Sequence, residues 1–392
     1  MPLLILVVQA YLFAALLLVR FTKKRHLADL FLAIFILMNG HHCTSYIIGF
    51  MDWYDTYRNT KINYFLMNFG LALGPVLYFY IRSLTDIHFK FRKRDWWHFV
   101  PIFVVVLYKV VLWHYDSRQP GFEDVHNGVL MENFHRAFIL TISEVAHLIS
   151  KIIYFTLAIQ LYMIYRKNIQ AFFSNTFRVE LNWMRNFLIA YMGLFAFGIL
   201  MTIVNEFVEL HWTQNWWTFF FTSVTMVYIG MMGYFTDLSK LYNLTFNAQG
   251  GKLKALKDQE QVLDHLDQSY TENEQNQIDE ACMGTIRTYM DAHQPYLDAE
   301  LTLSELARQV QLSPSQVSQA INTGFGMNFN EFINQYRVEA VKSILKKGEK
   351  SNLSMLGIAM ECGFNSKATF NRTFKKFTQL TPSEYVASQK AI

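Results

Sequence analysis

The chain has 392 residues, 52 % of them hydrophobic, and a formal net charge of +4. That length suggests two or three domains, and three cysteines without CxxC or Cys/His spacing give no sign of a disulfide framework or metal module. Charge is unevenly spread: residues 1–236 hold 19 Lys+Arg and 13 Asp+Glu between apolar runs, whereas residues 337–392 hold 10 and 4. The positive excess lies where phosphate neutralisation would need it.

Seven apolar runs follow in chain order, at about 3–20, 27–50, 62–84, 96–115, 137–165, 186–208 and 214–236. Each approaches or exceeds the ~20 residues that cross ~30 Å of hydrocarbon as helix. The first run has no basic residue before it and no small-residue cleavage site, so it reads as a retained span. The first, third and fifth connections carry Lys23-Lys24-Arg25, Lys90 to Arg94, and Arg166-Lys167 with Arg178 and Arg185. The sixth, Glu206 to His211, carries no Lys or Arg. Basic residues keep to the cytoplasmic side. The expectation is therefore a multi-pass protein of a bacterial cytoplasmic membrane, N-terminus outside and C-terminal part in the cytoplasm. Trp53, Trp96-Trp97, Trp113 and Trp216-Trp217 stand at run ends as interfacial anchors should.

Glu144, His147 and Lys151 recur at i, i+3 and i+7 inside the fifth run, on one helical face. Ionisable residues within spans usually face a bundle interior or cavity and are functional candidates. Two readings stay open: a Glu–Lys pair that locks the bundle, or a face that senses an unknown signal.

Residues 237–274 read as a cytoplasmic linker, with 4 basic and 7 acidic residues. Asn247-Ala248-Gln249-Gly250-Gly251 breaks any continuous helix. Leu256, Leu263, Leu266 and Tyr270 approach heptad spacing, too briefly for a coiled coil. Residues 268–277 are expected to be flexible and solvated, with a helix following from about Gln277 to His293.

The C-terminal 275–392 holds two similar units, at about 302–323 and 354–377. Thr302-Leu303-Ser304-Glu305 and Ser313-Pro314-Ser315-Gln316 are capping boxes, the second with Pro at the first helical position. Two short helices across so tight a turn form a helix-turn-helix, whose second helix enters the major groove. Met355, Ile358, Ala359, Cys362 and Phe364 match Leu303, Leu306, Ala307, Val310 and Leu312 at a constant offset of 52. Past the turn the offset becomes 53, pairing Phe370 to Phe374 with Val317 to Ile321. Between the units, Asn328 to Glu331 caps a helix to about Lys347. Its ~30 Å length suits two reading heads one ~34 Å DNA turn apart.

On the first reading helix Ser315, Gln316, Ser318, Gln319 and Asn322 avoid the apolar face; on the second, Ser366, Lys367, Ala368, Asn371, Arg372, Lys375 and Lys376 do. The first set is uncharged and suits base edges. The second suits phosphates as well as bases.

Residues 280–388 resemble the AraC/XylS family DNA-binding domain. The stretches that carry the likeness are Pro295-Tyr296-Leu297-Asp298, Leu301 to Ala307, Tyr336-Arg337-Val338-Glu339-Ala340, Gly363-Phe364-Asn365-Ser366, Phe370 to Lys376, and Thr381-Pro382-Ser383-Glu384-Tyr385. The whole arrangement resembles membrane-integrated members of Bacteroidetes type. The resemblance implies an all-α protein in which a seven-helix membrane bundle precedes two helix-turn-helix units joined by a long helix. It places base-contacting sites at Ser315, Ser318 and Gln319, and at Lys367, Ala368, Asn371 and Arg372. It implies double-stranded promoter DNA, RNA polymerase and a second copy of the chain as partners beside the lipid bilayer, and no enzyme activity, cofactor or metal. Gln311 and Gln379 stand where the family often has Gly, which predicts left-handed non-glycine residues at both. The alternative reading is a transporter- or channel-like bundle with a regulatory DNA-binding tail.

Overall fold

The computed structural model describes residues 2–51, 56, 61–65, 68–86, 89–176, 181–208, 212–236, 272–347 and 353–390. The expected linker breaks and heptads at 247–270, with Trp53 and Arg178, lie outside them. Every regular element among the described residues is a helix. The chain divides into two compact units: residues 1–162 with 182–244, and residues 163–181 with 245–392.

Unit 1 is a set of apolar helices: α1 (Pro2–Lys24), α2 (Leu27–Phe50), α3 (Gly70–Thr85), α4 (Val100–Asp116), α5 (Leu140–Phe172), α6 (Asn182–Val208) and α7 (Trp216–Phe235). The last turns of α5, from Met163 on, belong to unit 2. Among the described residues, six stretches are long and apolar enough to cross a membrane: Pro2–Lys24, Leu27–Phe50, Lys93–Asp116, Met131–Phe172, Asn182–Asn205 and Thr213–Phe235.

The third run, which includes residues outside the described ones, is not among them. It is broken between a single turn, Ile62–Phe65, and the 16-residue α3. The Asn68 side chain accepts from Gly70 N at 2.9 Å and so starts α3 afresh. At 1.5 Å per residue α3 reaches ~24 Å, short of a ~30 Å core. Its surroundings differ too: Ala72, Phe79 and Ile81 are fully buried, and α3 is enclosed by protein. The longer helices do the opposite. Phe103, Val104 and Leu107 of α4 are more than half exposed, as are Ile189, Leu200 and Ile203 of α6. Apolar surface on that scale is unfavourable in water by about 25 cal/mol per Å².

One ion pair fastens three helices at a common end. Arg20 of α1 donates through Nε to Asp29 Oδ2 of α2 at 2.8 Å, and through Nη2 to the Gly233 carbonyl of α7 at 2.9 Å. Asp29 is buried against that partner.

Unit 2 is built on a spine. Its helices are α8 (Glu272–His293), α9 (Leu303–Gln309), α10 (Pro314–Gln319, prolonged by a π-turn Ala320–Gly324), α11 (Phe329–Lys347), α12 (Met355–Glu361), α13 (Lys367–Thr378) and α14 (Pro382–Lys390). α8 starts at Glu272, earlier than Gln277, which corrects the expectation of flexibility for the described residues 272–277.

α11 is apolar on two sides. Phe329, Phe332, Ile333 and Tyr336 pack into a first lobe with Ile286 and Met290 of α8, Leu303, Leu306 and Ala307 of α9, and Val317 of α10. Val338, Val341, Ile344 and Leu345 pack into a second lobe with Ile358 and Ala359 of α12, Phe370 and Phe374 of α13, and Tyr385 of α14.

Arg337 lies on the spine between those two faces and is 1 % exposed. It donates from Nε to Tyr296 O at 2.8 Å and from Nη2 to Asp298 O at 2.7 Å and to Ser174 Oγ at 3.1 Å. Burial pulls its guanidinium down to about 10, against the nearby charges of Asp298 and Glu300, so it stays charged near neutrality.

Gly363 sits directly beside it. Its φ is +87°, and a Cβ there would meet Tyr296 O at 2.4 Å and Arg337 Nε at 2.8 Å. Gln311 and Gln379 are left-handed as expected, at φ 58° and 62°.

Gln311→Gly and Gln379→Gly are each expected to stabilise unit 2 by about 0.5–1 kcal/mol, as left-handed strain of about 1–2 kcal/mol is relieved against glycine's larger entropy in the unfolded chain. Gly363→Ala should destabilise it by about 3 kcal/mol or more, since backbone cannot yield to the new atom. Hydrogen exchange of the Cys362 and Phe364 amides in the full-length protein checks both signs.

Candidate nucleic-acid interface

The duplication read from sequence is present bond for bond. In the first unit Thr302 Oγ1 accepts from Glu305 N at 3.2 Å and starts α9. In the second, Ser354 Oγ accepts from Gly357 N at 3.1 Å and starts α12. The turns match likewise: Leu312 N donates to Ala307 O and Phe364 N to Ala359 O, both at 3.0 Å. Gln311 and Gly363, 52 residues apart, hold the same left-handed position.

Both reading helices start from a serine. Ser313 Oγ accepts from Gln316 N at 3.2 Å, while Gln316 Oε1 accepts from Ser313 N at 2.9 Å, a complete capping box. Ser366 Oγ accepts from Thr369 N at 3.1 Å. Val317, Ala320 and Ile321 face one core and Phe370, Thr373 and Phe374 the other, all buried at an offset of 53. A helix anchored on one side must present its other side outward.

That outward side carries the sequence candidates. Gln316, Gln319 and Asn322 are exposed on the first helix, with Ser315 and Ser318 half-buried beside them. Lys367, Ala368, Asn371, Arg372, Lys375 and Lys376 are exposed on the second, and Ser366 is half-buried. Several already have tasks. Gln316 and Ser366 cap their helices, and Asn322 Nδ2 donates to Ser318 Oγ at 3.3 Å.

Lys376 differs most from its sequence reading. Its Nζ forms an ion pair with Glu331 on α11. That pair, and the Asn328 cap, hold the Glu331 carboxyl below the usual carboxylate range. Part of the charge assigned to the reading face therefore fastens α13 to the spine. Sequence reasoning missed Glu331 because its partner lies 45 residues away.

Similarity to known proteins bears on the same residues. Residues 306–388 match the family model described as a helix-turn-helix domain. That match takes in most of the first helix-turn-helix unit and all of the second. Over 131 residues the chain is 30 % identical to an uncharacterized HTH-type transcriptional regulator of Staphylococcus aureus (strain COL), covering 33 % of this chain and 17 % of that one. Over 95 residues it is 28 % identical to the uncharacterized HTH-type transcriptional regulator YtdP of Bacillus subtilis (strain 168), covering 24 % of this chain and 12 % of that one. The chain thus spans less than a fifth of the length of these relatives. No solved structure matches it.

The candidates in unit 1 do not converge. His147 of α5 is buried, 3.3 Å from Asn68 Nδ2 and packed on Gly70. Lys151 is half-buried and Glu144 exposed, and no ion pair joins these two described residues. His147 alone faces fully inward.

If Lys375 meets a phosphate and Lys376 is committed to Glu331, Lys375→Ala should flatten the salt dependence of duplex binding by about 0.9 in log–log slope. Lys376→Ala should change it little, and Glu331→Gln should steepen it. Titrating full-length protein on a labelled duplex with KCl separates the three. The folded Glu331 pKa is depressed, so its contribution to stability is complete above the ordinary carboxylate pKa and lost as pH falls through the lowered value. Glu331→Gln should therefore lower the melting temperature by a pH-independent amount between about pH 6 and 8, and the two melts should converge in acid.

Proposed function

We propose that this chain is a membrane-held, sequence-specific transcription regulator that couples a signal received by its apolar helices to promoter binding. The observation that carries the reading is the pairing of two outward-facing recognition helices, on one spine, with six helices whose apolar side chains point outward in one chain. The first recognition helix offers uncharged hydrogen-bonding groups and reads bases in this proposal, with Gln319 as the residue that pairs with adenine. The second is cationic and grips phosphates through Lys367, Arg372 and Lys375. The lipid bilayer is the second partner. Basic residues at Lys23-Lys24-Arg25 and at Lys90 to Arg94 favour a cytoplasmic side for those connections, with the DNA-binding domain on the same side. A second copy of the chain and RNA polymerase complete the assembly. In the spans His147, with Lys151 and Glu144 on the same helix, is the candidate point at which a signal is felt. A signal acts only if it binds two states of the bundle with different affinity.

Gln319→Ala should weaken binding to the preferred sites by about 1–3 kcal/mol while leaving binding to random duplex unchanged. Mapping chromosomal occupancy of the full-length protein and the variant reads this. An equal loss on all DNA would refute base reading by Gln319. A reporter fused after Ile392 should be active in the cytoplasm only; periplasmic activity would overturn the membrane arrangement.

A further inference from the structure

Unit 2 contains a segment from elsewhere in the chain. Residues 163–181, the end of α5 and the connection beyond it, pack as one unit with residues 245–392. The contacts are specific. Phe172 packs against the first lobe. Phe173 pairs with Thr302 in an isolated antiparallel bridge. Ser174 is fully buried; its N–H and its hydroxyl both donate to Leu301 O, at 3.3 and 2.7 Å.

The slot that receives it is made by the spine. Asn330 Nδ2 donates to Phe173 O at 3.2 Å and to Ser174 O at 2.7 Å. Buried Asn334 donates to Asn330 Oδ1 at 3.0 Å, which turns the Asn330 amide nitrogen toward the segment. Arg337 Nη2 donates to Ser174 Oγ at 3.1 Å, and Nη1 to Ser174 O at 3.4 Å. The segment thus satisfies part of a buried guanidinium that would otherwise lose those acceptors.

Resting on the regulator reading above, we infer that Phe172–Thr176 is a docking segment that holds the DNA-binding domain by its first helix-turn-helix unit. The end of α5 from Met163 on thus belongs to the same unit as the domain. Thr302 both pairs with the segment and caps α9, and Arg337 serves both the segment and the two-lobe junction. Gln316, Gln319, Lys367 and Lys375 are exposed with the segment in place, so docking leaves these reading residues uncovered. It changes DNA occupancy by fixing where the first unit is held, not by masking it.

The test uses the full-length protein in cell membranes. A Phe173→Cys, Thr302→Cys pair should form a disulfide under mild oxidation, read by mass spectrometry of its peptides, because opposed residues of an antiparallel bridge lie within disulfide reach. Phe173→Cys with Gln319→Cys is the control. A yield no higher than the control would overturn the docking. Adding Ser174→Lys, too large and charged for a fully buried site, should lower the yield about fivefold or more, whereas Gln319→Ala should leave it unchanged. An unaltered yield with Ser174→Lys would also overturn it. Hydrogen exchange at Val317 and Phe374 shows that the variant domain remains folded. Chromosomal occupancy should shift about fivefold or more with Ser174→Lys alone; unchanged occupancy would overturn the coupling. The disulfide readout needs no DNA, so a failure of the regulator reading, seen as no occupancy by the unaltered protein, is distinct from a failure of docking.

Discussion

A charged fork almost wholly buried in protein sets the geometry of the C-terminal unit. A guanidinium has five donors in a fixed plane and no acceptor, so the chain must bring oxygens to Arg337 from several directions. Tyr296 and Asp298 supply them from the connection between α8 and α9, and Ser174 supplies them from the connection beyond α5. Gly363 leaves room on the remaining side, where any Cβ would collide with the same assembly. Because these oxygens come from the first lobe and its docked segment, that lobe cannot slide along α11 without stranding a buried charge, and Gly363 brings the second lobe against the same assembly. Losing hydrogen bonds to a charged group costs about 1.5–3 kcal/mol each, comparable to the loss of a large core side chain.

The two lobes themselves were legible because their periodic features are local. Capping boxes span four residues, buried positions recur at helical spacing, and a repeat offset of 52 then 53 preserves both. The same caps, turn bonds and left-handed positions recur at those offsets in space. Even the two departures, Gln311 and Gln379, were readable, since a position that needs positive φ is defined by its place in the turn.

What was not legible is non-local or carried by main chain. The ion pair of Lys376 with Glu331 joins residues with no sequence relation. The slot for Ser174 recognises carbonyls and a small hydroxyl, a signature any serine-containing loop would share. A buried arginine within an apolar stretch of α11 was the available signal, and it was read only as part of a family likeness. The third apolar run was legible only in part, for a related reason. Hydropathy marks α3 as apolar but cannot distinguish a helix apolar because it faces lipid from one enclosed by other helices, and enclosure permits the shorter length.

A spine packed on two sides has consequences for how the proposed regulator could respond. Tightly packed cores move between discrete arrangements rather than deforming smoothly. With Phe332 and Ile333 seated in one lobe and Val338 and Val341 in the other, the distance between reading helices is set by the length of α11 and is insensitive to small forces. A signal is therefore ill-suited to tune the spacing of the two heads on DNA. It acts more effectively at a contact of few hydrogen bonds at the margin of the unit, where a modest difference in affinity moves a population. Phe172–Thr176 is such a contact, and it adjoins both the cap of the first unit and the guanidinium on which the junction depends.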